Sequence, residues 1–256
     1  RQGEGGELKT KPTQHAVRNL NSAGLQPDII IARAAVSLDK KRKEKIAFNC
    51  GVGEDDVISA PDVSNIYEVP VNFEKDNLSE VILEKIGLKA KQRDLSEWRR
   101  FVTASKKVAD KKPLKIGIIG KYFATGDFVL SDSYISVIEA VKHAGYALGL
   151  RLEISWLNAD DYDPKTGGAS LKNNFKKLSA CDGIIVPGGF GGRGVEGKIN
   201  VIRWARENKK PFLGLCYGMQ LAVIEFARNA AGLKDANTKE VNPKTPHPVI
   251  DIMPDQ

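Results

Sequence analysis

From residue 114 onward, short apolar runs alternate with longer segments of helical periodicity, and this alternation limits the possible folds more than any other feature. The nearly continuous apolar runs, typical of strands buried on both faces, are 114–120, 151–157, 183–187 and 211–215. The segments with helical patterns are 131–145, 169–178, 196–208 and 217–231. Strands that alternate with helices form a parallel sheet covered on both faces. We therefore predict an open, doubly wound α/β domain over residues 114–256.

The preceding residues show a sparser version of the same pattern. A helix is predicted to begin near Pro12 and to end at Gly24, because proline favours the first turn and glycine the end of a helix. Further predictions are strands at 28–33 and 57–59 and helices at 39–48, 78–87 and 94–110. Lys111-Lys112-Pro113 is the clearest boundary. The predicted organisation is a first α/β part (1–88), a helical linker (89–113) and a second α/β part (114–256).

Composition is that of an ordinary globular protein, with 41% hydrophobic and 28% charged residues. No apolar run approaches the roughly 20 residues that a membrane-spanning helix needs. Three cysteines, Cys50, Cys181 and Cys216, lack metal-ligand spacing. That pattern suits a reducing compartment, in which a single well-placed thiol can be catalytic. We expect a cytoplasmic protein without a membrane partner and without a metal site in these residues.

The net charge of +7 is spread along the chain. Residues 1–113 hold 21 basic and 17 acidic residues, and residues 114–256 hold 18 and 15. The one dense basic run, 40–43, is followed at once by Glu44 and is predicted to be a solvated helix face. This pattern argues against nucleic acid as a partner and suits small phosphorylated ligands better.

The segment Pro211–Gln220 carries the strongest chemical signal. An apolar strand runs into Gly-Leu-Cys-Tyr-Gly and then directly into a helix, which is the cysteine version of a nucleophile elbow. The flanking glycines would let neighbouring chain segments pass closely, and the helix N-terminus would favour the thiolate of Cys216. The N–H of Tyr217 would face the developing oxyanion. The competing interpretation is a buried structural cysteine whose glycines serve only the turn.

A second glycine-rich turn, 188–197, follows the strand at 183–187. Gly189 could supply the other oxyanion N–H. The same turn contains Gly-x-Gly-x-x-Gly from Gly189, a weak dinucleotide signal, but the next strand leads to Cys216 and not to an acidic residue. The stretch 117–122 imitates a phosphate loop, yet it is too short and has no Ser or Thr after its lysine, so a turn at the sheet edge is expected.

These two motifs resemble the glutaminase domain of class I glutamine amidotransferases. Within that group, Arg193–Lys198 and Asn237–Glu240 are similar to the CTP synthase family. The resemblance implies that glutamine is contacted by Gly189, Cys216, Tyr217, Gly218, Met219, Gln220 and Glu240, with Phe190 in a lid. CTP synthases usually have leucine where this chain has Tyr217, a residue found there in other class I amidotransferases. The backbone N–H that would face the oxyanion should be unaffected by this change, whereas the shape of the pocket wall need not be the same.

The segment Lys9–Gln14 predicts anion binding. In an extended chain, Lys9 and Lys11 would point the same way, and the following helix N-terminus would add N–H donors. A triphosphate suits this arrangement, and an exposed basic turn is the alternative. Glu7–His15 closely resembles the pyrimidine-nucleotide motif of the CTP synthase family. By that resemblance UTP, or CTP as inhibitor, would be held by Lys9, Thr10, Lys11, Pro12, Thr13, Gln14 and Lys45, and the ATP base by Pro61, Asp62 and Val63, with Arg33 as a further contact.

The resemblance also implies features outside this sequence. Residues 1–88 would be part of a P-loop-type amidoligase domain whose phosphate loop and magnesium ligands are expected before Arg1. The glutaminase's catalytic histidine and glutamate are expected beyond Gln256, so the chain is expected to be truncated. His247, between two prolines, is predicted to be a surface turn and not the general base. Mg²⁺ with ATP, GTP as activator and a homotetramer are implied by the family alone.

The predicted function is therefore ATP-dependent amination of UTP to CTP with ammonia from glutamine. Two alternatives stay open. The chain could be a stand-alone cysteine hydrolase with a nucleophile elbow, or a non-catalytic protein that binds pyrimidine nucleotides.

Overall fold

The computed structural model describes residues 8–90, 92, 94–121, 124–125, 128–129, 134–189, 191–251 and 253. The chain divides into two compact units between Thr103 and Ala104. This division falls inside a helix, Ser96–Lys107, and the boundaries 1–88, 89–113 and 114–256 stay predictions.

The first unit is built around a parallel pair of strands. Its elements are α1 (Lys11–Ser22), β1 (Ile30–Ala34), α2 (Lys40–Cys50), β2 (Val57–Pro61), α3 (Val69–Phe73) and α4 (Leu78–Lys85), and α5 (Ser96–Lys107) begins within it. β1 pairs with β2 from Ile30 opposite Val57 to Ala34 opposite Pro61. The core of this unit joins α1, α2 and both strands through Val17, Ile30, Ile46 and Val57. An open α/β arrangement is thus confirmed for this part.

The start of α1 differs from the sequence prediction. The helix begins at Lys11, one residue before Pro12, so Lys9 and Lys11 do not share one extended segment and that prediction is wrong. Proline fits the first helical turn because its fixed φ suits a helix and it has no N–H to leave unpaired. The helix can therefore extend back by one residue.

Helix α2 begins and ends as the sequence suggests. The carboxylate of Asp39 accepts a hydrogen bond from the Arg42 backbone N–H (2.8 Å), and Gly51 ends the helix in the left-handed conformation. The basic run is only partly solvated. Lys43 pairs with Asp76 (2.8 Å), and the Arg42 side chain donates to the carbonyl of Leu8 (3.2 Å).

The second unit contains a four-stranded sheet, all of whose neighbouring strands are parallel, in the order β6-β3-β7-β8. Its elements are β3 (Leu114–Gly120), β4 (Ala124–Thr125), β5 (Phe128–Val129), α6 (Ile135–Ala147), β6 (Leu152–Asn158), α7 (Leu171–Ser179), β7 (Gly183–Val186), α8 (Val195–Glu207), β8 (Phe212–Gly214), α9 (Tyr217–Asn229), β9 (Ala236–Thr238) and β10 (His247–Ile250). The strands and helices of the predicted alternation all occur within a few residues of their predicted bounds. The antiparallel pair β4–β5 and the parallel pair β9–β10 were not predicted.

Helices cover both faces of this sheet. On one face Ile184 of β7 packs with Ile199 of α8 and Leu221 of α9. On the other face Ile118 and Ile185 pack with Ile138 of α6. Successive residues of one strand, such as Ile184 and Ile185, therefore enter different cores. The doubly wound architecture is confirmed.

Two local predictions are wrong. Gly117 and Gly120 lie in β3, which has a neighbour on each side, so the part of this stretch up to Gly120 is an interior strand and not a turn at the sheet edge. His247 begins β10 and lies opposite Ala236 of β9, so it is not in a turn. The flanking prolines are tolerated because proline is compatible with the end or edge of a sheet.

Among the described residues, no helix combines the length and the apolar character required to cross a membrane.

Candidate active site

Three neighbouring strands of the second unit end at the same edge of the sheet. β3 ends at Gly120, β7 at Val186 and β8 at Gly214. Because the three strands are parallel, these carboxyl ends lie at one edge of the sheet. Lys121, the glycine loop (188–194) and Cys216 follow them. In open α/β sheets, ligands bind in the crevice at this edge.

Cys216 occupies the turn between β8 and α9. Its backbone has φ 53° and ψ −113°, a conformation that side-chain-bearing residues rarely adopt. Its thiol is exposed, whereas Cys50 and Cys181 are buried. The residue also precedes the first turn of α9, whose N–H groups favour negative charge. The predicted strained elbow is confirmed as a structural feature.

The glycines on both sides of Cys216 are required by close chain approach. A Cβ on Gly218 would lie 1.9 Å from the carbonyl oxygen of Val186, and a Cβ on Gly214 would lie 2.8 Å from the Gly218 carbonyl carbon. Any side chain would therefore force β7, β8 and α9 apart. The predicted reason for these glycines is confirmed.

The glycine loop runs directly beside the thiol. A Cβ built on Gly188 would lie 3.4 Å from Cys216 Cβ and 3.6 Å from its Sγ. Gly189 and Gly191 have φ values of 134° and 80°, which favour glycine. The loop can therefore present backbone groups to Cys216 with little side-chain bulk between them.

Two buried lysines hold this loop through its carbonyl groups. Lys198 donates from Nζ to the carbonyls of Pro187 (3.1 Å) and Gly188 (3.4 Å), and Lys121 donates to that of Gly191 (3.2 Å). Burial, with the nearby Lys121 charge, lowers the pKa of Lys198 to about 8. Burial likewise lowers the pKa of Lys121, against the attraction of the Glu240 carboxylate.

Acidic side chains fix the loop at two further points. Glu240 accepts a hydrogen bond from the Gly191 N–H (2.9 Å). Asp160 pairs with Arg193 at 3.0 Å. Gly191 is thus held at both its N–H and its carbonyl, which makes the loop a preorganised element.

Tyr217, the residue after Cys216, has a buried side chain. Its side chain is 3% exposed, and its hydroxyl has no hydrogen-bond partner within the described part of the chain. The Lys121 ammonium lies 5.9 Å from the ring centroid. Burial, with the nearby Glu240 carboxylate, raises the pKa of Tyr217 to about 12.

The structure brings together most residues that were predicted to contact glutamine. Cys216 and Glu240 lie against the glycine loop, Gly218 packs against Val186 at the end of β7, and the Tyr217 ring lies near Lys121. Met219 is 55% exposed and Gln220 is half-buried, both in the first turn of α9. Phe190 lies outside the described residues. The binding roles of these residues stay predictions.

Lys121 and Lys198 were missed by sequence reasoning, although a signal was present for each. Lys198 lies three residues after Val195 and one before Ile199, on the apolar face of α8 that points to the core. A lysine in such a position is unusual. Lys121 is a charged residue at the carboxyl end of an apolar strand, where ligand-contacting residues commonly occur.

The Lys9–Gln14 segment has an inward side and an outward side. Thr10 and Gln14 are buried, and the Gln14 amide donates to Thr10 Oγ1 (3.2 Å). Lys9, Lys11 and Pro12 are exposed, as is Lys45 on α2. The buried pair anchors the start of α1 and leaves the lysines accessible.

A cavity of about 500 Å³ lies at the end of the strand pair in the first unit. Pro61, Asp62 and Val63 line it together with Arg33, whose guanidinium pairs with Asp62 at 3.2 Å. The rest of the wall is mainly apolar and includes Phe73. Size and lining suit a flat, partly apolar ligand.

Within the described ranges, no group of three or more His, Cys, Asp or Glu side chains could hold a metal ion.

Two family profiles match this chain. The profile described as CTP synthase N-terminus matches residues 2–88, and the profile described as class I glutamine amidotransferase matches residues 129–251. The order of the two segments along the chain is that expected from the sequence motifs.

Curated relatives match across nearly the whole chain. The CTP synthase of Caldanaerobacter subterraneus subsp. tengcongensis is 49% identical over 254 residues, covering 99% of this chain and 45% of that protein. The CTP synthase of Carboxydothermus hydrogenoformans is 50% identical over 251 residues, covering 98% and 44%. The chain thus spans under half the length of these relatives.

Among solved structures, a Trypanosoma brucei CTPS glutaminase domain with bound acivicin is 40% identical. The match covers 55% of this chain and 50% of that chain with a TM-score of 0.49.

Proposed function

Because this chain belongs to the CTP synthase family, we propose that it serves ATP-dependent amination of UTP to CTP, with ammonia released from glutamine at Cys216. The observation that carries this proposal is the exposed, strained Cys216 beside the clamped glycine loop. It occurs in the same chain as a segment that matches the CTP synthase N-terminus.

In the proposed glutaminase step, the Cys216 thiolate attacks the side-chain carboxamide carbon of glutamine. The N–H groups of Gly189 and Tyr217 stabilise the oxyanion. The C–N bond then breaks, ammonia leaves with a proton, and water hydrolyses the thioester to glutamate and free thiol. Support comes from the proximity of Gly188 to Sγ and from the helix N-terminus that follows Cys216.

The glutamine pocket is proposed to comprise Gly218, Met219, Gln220 and Glu240. Glu240 is already oriented by the Gly191 N–H, so its second carboxylate oxygen is available to a ligand amine. The Glu240 carboxylate also lies close enough to Tyr217 to add to the rise in its pKa that burial causes. These contacts would orient glutamine with its carboxamide towards the thiol.

In the first unit, UTP or CTP is proposed to bind at Lys9, Thr10, Lys11, Pro12, Thr13, Gln14 and Lys45, and the ATP base at Pro61, Asp62 and Val63 beside Arg33. The exposed lysines near the start of α1 and the cavity at Pro61–Val63 support this assignment. ATP phosphorylates the uracil O4 of UTP, and ammonia displaces phosphate to give CTP, ADP and phosphate. The proposal further includes Mg²⁺ with ATP, GTP as activator, a homotetramer and a cytoplasmic location.

The test compares nitrogen sources in the full-length protein. Replacing Cys216→Ser should abolish glutamine-dependent CTP formation, by about 10⁴-fold or more, since a hydroxyl is a much weaker nucleophile here. CTP formation from added ammonium chloride should stay within about twofold of wild type, since it bypasses the thiol.

Each other outcome points to a different function. Glutamine hydrolysis without CTP formation from either nitrogen source would indicate a stand-alone cysteine hydrolase. Binding of UTP or CTP without either reaction would indicate a non-catalytic nucleotide-binding protein. Both would overturn the proposal.

A further inference from the structure

Lys198 is a buried cation that the proposed mechanism does not use. Its side chain is 1% exposed, and no carboxylate lies within ion-pair distance of it in the described part of the chain. Placing an ammonium group in a protein interior is costly unless its N–H groups are satisfied. Methionine would fill a similar volume without that cost. The donors of Lys198 are therefore the property that this position requires.

These donors act on the peptide units that lead into the glycine loop. Nζ lies 3.1 Å from the Pro187 oxygen and 3.4 Å from the Gly188 oxygen. In a trans peptide unit the C=O and the following N–H point in opposite directions, and no described peptide bond is cis. Holding the Gly188 carbonyl towards Lys198 therefore directs the Gly189 N–H away from Lys198.

The thiol lies close to this peptide unit. A Cβ on Gly188 would be 3.6 Å from Cys216 Sγ. Lys198 and Cys216 are also close enough to interact electrostatically, since a thiolate at Cys216 opposes the fall in the pKa of Lys198. Gly189 has φ 134°, a value that glycine adopts readily. Because glycine is also free to adopt other values, its own backbone preference does not fix the orientation of the adjoining peptide. An external contact is needed to fix that orientation.

We propose that Lys198 is a positioning residue: its ammonium fixes the peptide unit between Gly188 and Gly189 so that the Gly189 N–H serves as an oxyanion donor to the Cys216 reaction. This inference rests on the proposed glutaminase function. It assigns to Lys198 an effect on the transition state and not on glutamine affinity. Loss of the contact should therefore lower kcat and leave KM nearly unchanged.

The experiment uses the full-length protein with Lys198→Met, which retains length and removes the donors. We expect kcat for glutamine hydrolysis to fall about 10- to 100-fold, somewhat less than when an oxyanion donor is deleted outright, with KM within about twofold. Alkylation of Cys216 by iodoacetamide should change less than about threefold, because displacement of iodide forms no oxyanion. CTP formation from ammonium chloride should be unchanged.

Glu225→Gln is the matched control. Glu225 is also 1% exposed and takes part in a charged contact, but it pairs with Arg206 and does not touch the glycine loop. This variant should lose stability while its glutaminase kcat stays within about twofold of wild type.

The outcomes separate this inference from the function on which it rests. Wild-type protein that makes no CTP from ammonia would contradict the proposed function, whereas its glutaminase kcat would still test Lys198. An unchanged kcat in Lys198→Met, or an equal loss of glutaminase and iodoacetamide reactivity, would overturn the inference. If Lys198→Met does not fold, Lys198→Gln replaces it: its shorter amide should reduce kcat at least fivefold at similar KM, and an unchanged kcat would again overturn the inference.

Discussion

Cys216 combines an exposed thiol with a backbone that only a constrained neighbourhood maintains. The constraint comes from glycines that permit contact between main-chain segments, above all Gly218 against the Val186 carbonyl. The strained backbone of Cys216 is therefore maintained in part by close main-chain packing at its neighbouring glycines.

Gly218→Ala tests this dependence. Because the new Cβ would lie 1.9 Å from the Val186 oxygen, we expect the free energy of unfolding to fall by more than about 3 kcal/mol in urea denaturation. Gly192→Ala is the control, since its Cβ would meet nothing closer than Val241 Cγ1 at 4.0 Å. Equal effects of the two substitutions would contradict the steric argument.

Tyr217→Phe tests the unpaired hydroxyl. Removing a buried hydroxyl without a partner relieves its desolvation cost and leaves ring packing intact. We expect the unfolding free energy to stay the same or to rise by up to about 1 kcal/mol, measured by thermal denaturation. A loss above 1 kcal/mol would show that the hydroxyl is satisfied in solution.

At the residue scale, the sequence alone predicts a functional residue when its neighbours within a few positions form a recognisable motif. Cys216 and its glycines could be predicted because a tight turn imposes them within five positions. The contacts of Lys198 and Lys121 with the glycine loop could not be predicted in this way. They connect α8 and the end of β3 to a loop whose path is set only by the folded sheet.

At the scale of elements, helices α8 and α9 are joined by a buried charge. Glu225 of α9 is 1% exposed and accepts three hydrogen-bond contacts from Arg206 of α8, at 2.9 to 3.2 Å. The Asn229 amide contributes another at 3.2 Å. The two helices that flank the thiol turn and the glycine loop are thus fixed relative to each other.

Arg206→Met should destabilise the protein by about 1–3 kcal/mol, because it leaves the buried Glu225 carboxylate without its partly exposed cation. The double variant with Glu225→Met should recover much of that loss, since the uncompensated charge is then absent. Urea denaturation of both single variants and the double variant gives the coupling energy. Additive losses would refute the role of the buried charge.

The predicted elements succeeded where the apolar pattern was long or strictly alternating, as in β3 at Leu114–Gly120. β9 and β10 were missed because they are only three and four residues long and include Asn237 and Pro248, which are uncommon in strands. The five-residue α3 was missed for a similar reason. Its length is too short for helical periodicity to be recognised.

At the scale of the whole molecule, the doubly wound class followed from strand–helix alternation alone. The division between Thr103 and Ala104 could not be predicted from the sequence. It falls inside a continuous helix, and no sequence feature within that helix indicates where one unit ends and the next begins. Short-range composition had favoured Lys111–Pro113 instead.

Global stability should depend on Lys198 at alkaline pH. Its pKa is about 8 in the folded state and near 10.5 when unfolded, so between these values the unfolded chain binds more protons. Stability therefore rises with pH across this window, by at most on the order of 3 kcal/mol. Relative to Lys198→Met, wild type should gain unfolding free energy from pH 8 to pH 10 in urea denaturation. A constant difference would contradict the depressed pKa.

The aromatic cluster of the first unit gives it a separate optical signal. Trp98 donates its indole N–H to the Tyr67 carbonyl (2.8 Å) and contacts the Phe101 ring at 5.5 Å between centroids. The other two tryptophans, Trp156 and Trp204, belong to the second unit. With both replaced by phenylalanine, selectively excited tryptophan fluorescence of this chain would report the first unit alone, and titrations with the proposed nucleotide ligands could be followed without a label.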